Sequence, residues 1–530
     1  MYIYNFSVIL KQQFVNNFAR GDNMAVKITT AAFSGINGII VTVEIDISNG
    51  LPNFNIVGLP DISVKESKER VRAAIVNSGF QFPINKITVN LAPADFKKDG
   101  SLFDLPIAIG ILFATDQLHS SSLDNYLFMG ELSLSGDINR IRGALPIVLE
   151  GFKNNIKSFI IPNNNSKECS IVKDLKIYPF DNLKQVISFL ENNDMLPLSI
   201  NENFLENNSK FDNDFEDVIG QESSKRAIEV ASAGGHNIIL WGPPGSGKSM
   251  LAYRIPSILP SLNYDEALEV TKIYSVSGNL SEEGLINNRP FRSPHHTCSN
   301  ISLVGGGKNL MPGEISLAHN GVLFLDEILE FKRSSLEVLR QPLEDRIIKI
   351  SRANGTINYP ANFMLVGSMN PCPCGFYGSS IKFCSCSDYE KKKYLSKLSG
   401  PLLDRIDVFS FVTSLKYEEL IKTARSENST SIKIRVDKAR IIQKKRFEND
   451  GIYCNAQMTQ KLIKKYCKID SITNKLLETI YNKYNLSNRA YSRILKLART
   501  IADLNLRDNI ESADIAEALQ YRKFLEENIV

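Results

Sequence analysis

The sequence predicts an α/β and α+β multidomain chain, with a phosphate-binding α/β core between an α+β segment and a helical C-terminal segment. Three observations carry that reading. The apolar run Ile238–Leu240 leads into Trp241-Gly-Pro-Pro-Gly-Ser-Gly-Lys-Ser249, which fits G-x-x-x-x-G-K-[ST]. Two later apolar runs end in polar groups, Gly321-Val-Leu-Phe-Leu-Asp-Glu327 and Phe363-Met-Leu-Val-Gly-Ser-Met-Asn370. Strand-like alternation early in the chain, as in Ile39–Ile47, gives way from Tyr417 onward to helical spacing.

A length of 530 residues suits about three domains. Apolar residues at 43% and charged residues at 23% are those of a soluble globular chain. A net charge of +4 is too small to hold nucleic acid by bulk attraction, so such a partner must meet local patches. No apolar run is as long as a membrane span; Leu105–Ala114 suits a buried helix. The cysteines make no disulfide framework, and a reducing, cytoplasmic setting is expected. Residues 1–23 are read as an N-terminal extension. Met1–Leu10 has neither a positive n-region nor a small-residue cleavage site, so no signal peptide is expected.

Residues 24–190 read as a mixed α+β domain. Ile39–Ile47 alternates as a half-buried strand, and Asn49-Gly50 is a hairpin signal. Val64, Val71, Ala74 and Ile75 share a helical face, Ile87–Leu91 is a strand, and a buried helix starts at Leu105. Residues 191–214 are Asn- and acid-rich and read as a linker.

Residues 215–415 form the phosphate-binding core. Gly242, Gly245 and Gly247 let the backbone wrap a polyphosphate. Pro243 and Pro244 lack an N–H, so the donors come from Gly245, Ser246, Gly247, Lys248 and Ser249. Lys248 is expected to bridge the β- and γ-phosphates of ATP, and Ser249 to complete a Mg²⁺ shell. The helix Met250–Arg254 is broken by Pro256. Asp326 is expected to hold Mg²⁺ through its water shell, and Glu327 to polarise the attacking water. Cys372, Cys374, Cys384 and Cys386 suit a structural Zn²⁺, although C-x-C pairs also leave free or redox-active thiols open. His295, His296 and Cys298 show no fourth ligand. Arg346–Tyr359, with Asn354-Gly355 at its turn, reads as a hairpin.

Residues 416–530 read as a helical lid. Asn488–Ala502 carries apolar residues at 494, 497, 498, 501 and 502, one face of a helix. Ser512 or Asp514 is expected to cap the last helix.

Several segments resemble the ComM/YifB family of magnesium-chelatase-like AAA+ ATPases: Pro52-Asn-Phe-Asn-Ile-Val-Gly-Leu-Pro-Asp61, Val89–Asp95, Lys98–Pro106, Arg289–Cys298, Leu303–Lys308 and Pro312–His319. The resemblance runs from Met24 nearly to the C-terminus. It implies a Lon-protease-like fold for 24–190. Lon-type catalysis needs a serine nucleophile and a lysine base. Here Leu102 stands at the nucleophile position and Leu145 and Ile147 at the lysine positions, with Ser101 one residue out of register, so an inactive domain is expected. The family pattern makes Asn370 sensor 1, Arg405 in Gly400-Pro-Leu-Leu-Asp-Arg-Ile-Asp407 an arginine finger acting in the neighbouring subunit, and Arg489 sensor 2. A salt bridge from Arg405 to Asp404 or Asp407 is the alternative. A finger acting in trans requires a ring, and the resemblance implies a homo-hexamer. The family also implies a DNA motor for branch migration, taking single-stranded or branched DNA, with no membrane partner. Arg292 and Lys308, in an insert aimed at the ring pore, and Arg352, in the hairpin beside it, are the expected DNA contacts. A chelatase-type motor remodelling a protein partner is the second functional reading.

Overall fold

The computed structural model describes residues 25–120, 123–198, 211–280, 284–307, 309–352, 355–379, 382–415, 426–483 and 486–522. Two compact units emerge, Met1–Glu202 with Gly278–Leu285, and Asn203–Ser277 with Ile286–Val530. Gly278–Leu285 thus groups with the first unit although it falls inside 215–415. The core and the C-terminal helices form one unit.

In the first unit, Val26–Ser34 (β1), Asn37–Ser48 (β2), Asn53–Val57 (β3) and Lys86–Ala92 (β4) make a sheet of order β1-β2-β4-β3. β2 is antiparallel to β1 and β4, whereas β3 runs parallel to β4. The Asn49-Gly50 turn therefore closes no hairpin, because β4 takes the place beside β2 that β3 would have filled. Helix α1 (Ile62–Asn77) buries Val64, Val71, Ala74 and Ile75, the face read from spacing, and Asp61 caps it by accepting from Val64 N at 2.8 Å. Helix α2 (Asp104–Ala114), apolar all round, is buried from Asp104 through Leu112. A second sheet, Tyr126–Phe128 (β5), Ser158–Pro162 (β6) and Lys176–Phe180 (β7), is parallel throughout.

The second unit is built on a five-stranded parallel sheet. Its strands are Ile238–Trp241 (β8), Phe291–Arg292 (β9), Val322–Leu325 (β10), Met364–Met369 (β13) and Val408–Phe411 (β14), ordered β9-β10-β13-β8-β14; Ile347–Arg352 (β11) and Gly355–Pro360 (β12) form a separate hairpin. Continuous apolar runs suit strands buried on both faces. Register pairs Trp241 with Met369 and Leu325 with Gly367, so the segments that follow β8, β10 and β13 leave from one edge. In open parallel sheets, ligands bind at that carboxyl edge.

Behind the sheet, helix α3 (Glu222–Gly234) packs with Ser429–Arg446 (α4) and Asn488–Leu504 (α5), and α5 packs in turn with Ser512–Gln520 (α6). Ile228, Leu240, Val366, Val436, Ile494, Leu497, Ile501 and Ile515 belong to one apolar cluster, which is why the helical segment does not stand as a separate body. Asp407, just before β14, ties this layer to the sheet. Its carboxylate pairs with Arg493 of α5 and accepts from Asn237 N at 3.2 Å. The N-cap of helix α6 is Glu511, whose N–H donates to Asp514 at 2.9 Å; of the two expected caps, Asp514 thus acts from the first turn, and Ser512 is the first helical residue. Tyr417 lies outside the described residues. No helix among them is long and apolar enough to cross a membrane.

Candidate nucleotide site

The loop Gly242–Gly247 turns back sharply between β8 and a short helix, Lys248–Ala252. A Cβ on Gly242 would lie 2.2 Å from Val412 O, so only glycine lets the loop leave between β8 and the end of β14. Gly245 and Gly247 hold φ of 73° and 94°, and a Cβ at either would meet nothing within 4 Å. Ser246 Oγ is buried without a hydrogen-bond partner, the kind of orphaned group that a phosphate oxygen satisfies.

Lys248 Nζ donates to Gly242 O and Pro243 O, both at 2.8 Å, and to Asn370 Oδ1 at 3.3 Å. Burial pushes its amine down to about 8 against the raising pull of Asp326 and Glu327. Ser249 Oγ donates to both carboxylate oxygens of Asp326, at 3.1 and 3.0 Å. A hydroxyl and a carboxylate facing each other beside a phosphate cradle are hard oxygen donors of the kind Mg²⁺ takes. Glu327 is exposed at the sheet edge in a left-handed backbone conformation, φ 49°. Its N–H donates to Ser368 Oγ at 3.0 Å, and Ser368 Oγ in turn donates to Asp326. The structure therefore brings Lys248, Ser249, Asp326, Glu327 and Asn370 together around the loop, with Ser368 as an addition. Ser368 was legible as the one hydroxyl in the apolar run before Asn370, two residues away and so on the same strand face.

Arg405 and Arg489 are placed elsewhere. Both line a cavity of about 430 Å³ whose walls include Glu344, Arg346, Arg493 and Lys496 and none of the phosphate-loop residues. Arg405 Nη2 pairs with Glu344, not with Asp404 or Asp407, and Arg489 Nη2 lies 3.8 Å from the same carboxylate. One glutamate thus gathers both arginines; nothing in its sequence context singled it out. Arg292 is also engaged, in a two-pronged pair with Glu314 at 2.6 and 2.8 Å. That contact ties the guanidinium to a carboxylate of its own chain. Lys308 lies outside the described residues, and Arg352 is placed only as the last residue of β11.

Cys372, Cys374, Cys384 and Cys386 come together with their sulfurs within 4.8 Å of one another, the one such cluster of potential metal ligands found among the described residues. All four are free thiols. Burial pushes the Cys372 thiol up to about 12, whereas the Phe376 backbone N–H brings Cys374 down to about 6. His295 and His296 stack on each other at 4.1 Å, and His295 Nδ1 lies 2.8 Å from Thr297 Oγ1.

Among the described residues of the first unit, no serine–lysine pair stands at the position a Lon-type site would use. Leu102, Leu145 and Ile147 are buried core residues. Ser101 Oγ donates to Glu131, and Lys98 Nζ is taken up by the backbone oxygens of Pro93 and Phe96.

Residues 214–420 match the family described as "Magnesium chelatase, subunit ChlI". Residues 43–165 match "Subunit ChlI of Mg-chelatase" and 426–522 match "Magnesium chelatase, subunit ChlI C-terminal". Competence protein ComM of Haemophilus influenzae is 44% identical over 495 residues, 93% of this chain and 96% of that one. The uncharacterized protein YifB of Escherichia coli is 43% identical over 494 residues, again 93% and 96%. The magnesium-chelatase 67 kDa subunit of Chlorobaculum parvum is 26% identical over 195 residues, 35% of this chain and 29% of that one.

Proposed function

The chain belongs to the magnesium-chelatase-like AAA+ ATPase family that includes Competence protein ComM and YifB, and on that ground we propose that it is an ATP-driven hexameric ring motor on DNA, promoting branch migration in homologous recombination and natural transformation. The observation that supports an ATP motor best is the convergence of Lys248, Ser249–Asp326 and Asn370 at one sheet edge. Likeness over almost the full length to a competence protein supports DNA as the substrate.

When bound, ATP with Mg²⁺ supplies the phosphoanhydride that is cleaved and the divalent charge that shields it. Ser246 Oγ and the N–H groups of residues 245–249 bind phosphate oxygens, and Lys248 exchanges its carbonyl partners for them. Ser249 and Asp326 would hold the metal. Asn370 orients water, and the exposed Glu327 carboxylate accepts its proton. Arg405 and Arg489, distant from their own loop, serve the site of the adjoining subunit, so each ring interface completes one active centre. Zn²⁺ on the four cysteines and a cytoplasmic setting belong to the same reading. A chelatase-type motor remodelling a protein is the second reading; the Chlorobaculum match that favours it spans 35% of this chain.

The test is strand displacement from a labelled forked or four-way DNA substrate. Wild-type protein with ATP should resolve it. Glu327→Gln should bind ATP normally and lose turnover by orders of magnitude, giving no displacement. Displacement by Glu327→Gln at the wild-type rate would refute the assignment.

A further inference from the structure

We propose that the four-cysteine knuckle, loaded with one Zn²⁺, is a clasp on the nucleotide pocket: it holds Asn370 and the phosphate loop at their working separation, so nucleotide affinity depends on metal occupancy. The inference rests on the Zn²⁺ and ATP readings above and adds a coupling between them.

The geometry of the sulfurs suits a metal. Cys372 Sγ lies 3.3 Å from Cys374 Sγ and 3.6 Å from Cys384 Sγ, and Cys374 Sγ lies 3.6 Å from Cys384 Sγ. A tetrahedral Zn²⁺ with bonds of about 2.3 Å places sulfurs about 3.8 Å apart, so small adjustments admit it. The Cys374 N–H donates to Cys386 Sγ at 3.4 Å, which ties the second ligand pair to the first.

Three contacts run from the knuckle to the pocket. The first is covalent: Asn370, which accepts from Lys248 Nζ at 3.3 Å, stands two residues before Cys372. The second is at Gly375, between the first ligand pair and the second. Its φ is 82°, and a Cβ there would lie 2.8 Å from Pro244 Cδ, so the knuckle backbone rests directly on the phosphate loop. The third is at Gly378, where a Cβ would come within 3.3 Å of the Phe411 ring; that ring is centred 4.5 Å from Trp241, the residue that opens the phosphate loop. A metal closing this segment removes the freedom that would let it lift from Pro244 and Phe411. If release of the metal leaves the pocket competent in one molecule of ten, apparent nucleotide affinity falls about tenfold.

Trp241 is the single tryptophan of the chain, so its emission reports on the phosphate loop without a label. The experiment measures zinc content, Trp241 emission and affinity for a fluorescent ADP analogue. It uses the full-length wild type, the Cys384→Ser/Cys386→Ser double variant and Gly375→Ala, with circular dichroism as the folding check. Wild type should carry about one zinc per chain. The double variant should lose it, shift the Trp241 emission and bind the analogue about tenfold more weakly. Gly375→Ala leaves all four ligands in place, so it should keep its zinc and still shift the emission and weaken binding. If the double variant does not fold, Gly375→Ala decides alone. Unchanged emission and affinity in folded protein without zinc, or in Gly375→Ala, would overturn the clasp and leave the zinc site standing. Wild type without zinc would remove both, and zinc-loaded wild type that binds no nucleotide would refute the ATP reading instead.

Discussion

Lys248 is held by two backbone oxygens and an amide oxygen, with no carboxylate among its direct partners. Burial brings its amine to about 8, so a growing share is neutral above that pH. Phosphate needs the ammonium form. Nucleotide affinity should therefore hold up to about pH 8 and then fall roughly tenfold per unit as binding takes up a proton. Titrating the dissociation constant from pH 7 to 9.5 checks this, and Lys248→Arg should flatten the upper part of the curve, since a guanidinium stays charged. The lysine, Ser249, Asp326 and Glu327 were legible because a phosphate loop and an acid-ended apolar strand have few other uses. Glu344 was not legible. Its role depends on two arginines distant in sequence, at 405 and 489, meeting on one carboxylate.

Among the elements, β8, β10 and β13 were the easiest to read, because they are apolar runs, whereas β9 and β14 of the same sheet went unread. Pairing was harder. Asn49-Gly50 makes a turn in either topology, and only the placement of β4 beside β2 decides that β3 lies further out. The join between sheet and helices was also hidden, since it rests on Asp407 meeting Arg493 and His236 across the layer. Burial alone would raise the Asp407 carboxyl, but the Arg493 guanidinium and His236 hold it well below the usual carboxylate range. A carboxylate depressed on folding contributes stability above its unfolded value of about 3.9, and that stability is lost as pH falls below it. Asp407→Ala should lower the stability of the second unit by about 3–5 kcal/mol in urea unfolding near pH 7, because Arg493 loses its buried partner. Below about pH 4 the gap between variant and wild type should narrow.

For the whole molecule, the proposed function makes the active centre a property of the ring, because Arg405 and Arg489 lie away from their own phosphate loop. Lys248→Ala and Arg405→Ala should each lose ATP turnover, the latter by about a thousandfold or more. Mixed rings should regain part of it, because some interfaces pair an intact loop with an intact arginine. Mixing that restores nothing would place the arginine's action within one subunit. DNA contact should divide by the same logic. Lys308→Ala with Arg352→Ala is expected to weaken DNA binding and flatten its salt dependence, whereas Arg292→Ala should mainly release Glu314. A double variant with wild-type DNA affinity and salt slope would move the DNA path away from the insert and hairpin.

The central claim is that ATP hydrolysis in this chain is coupled to DNA, and the direct measurement is steady-state ATP hydrolysis by the purified protein with and without single-stranded or branched DNA. Hydrolysis should rise severalfold on adding DNA, with the branched form at least as effective. It should fall to background in Lys248→Ala whether or not DNA is present. A wild-type rate that no DNA changes, in protein that hydrolyses ATP and forms rings, would contradict the claim.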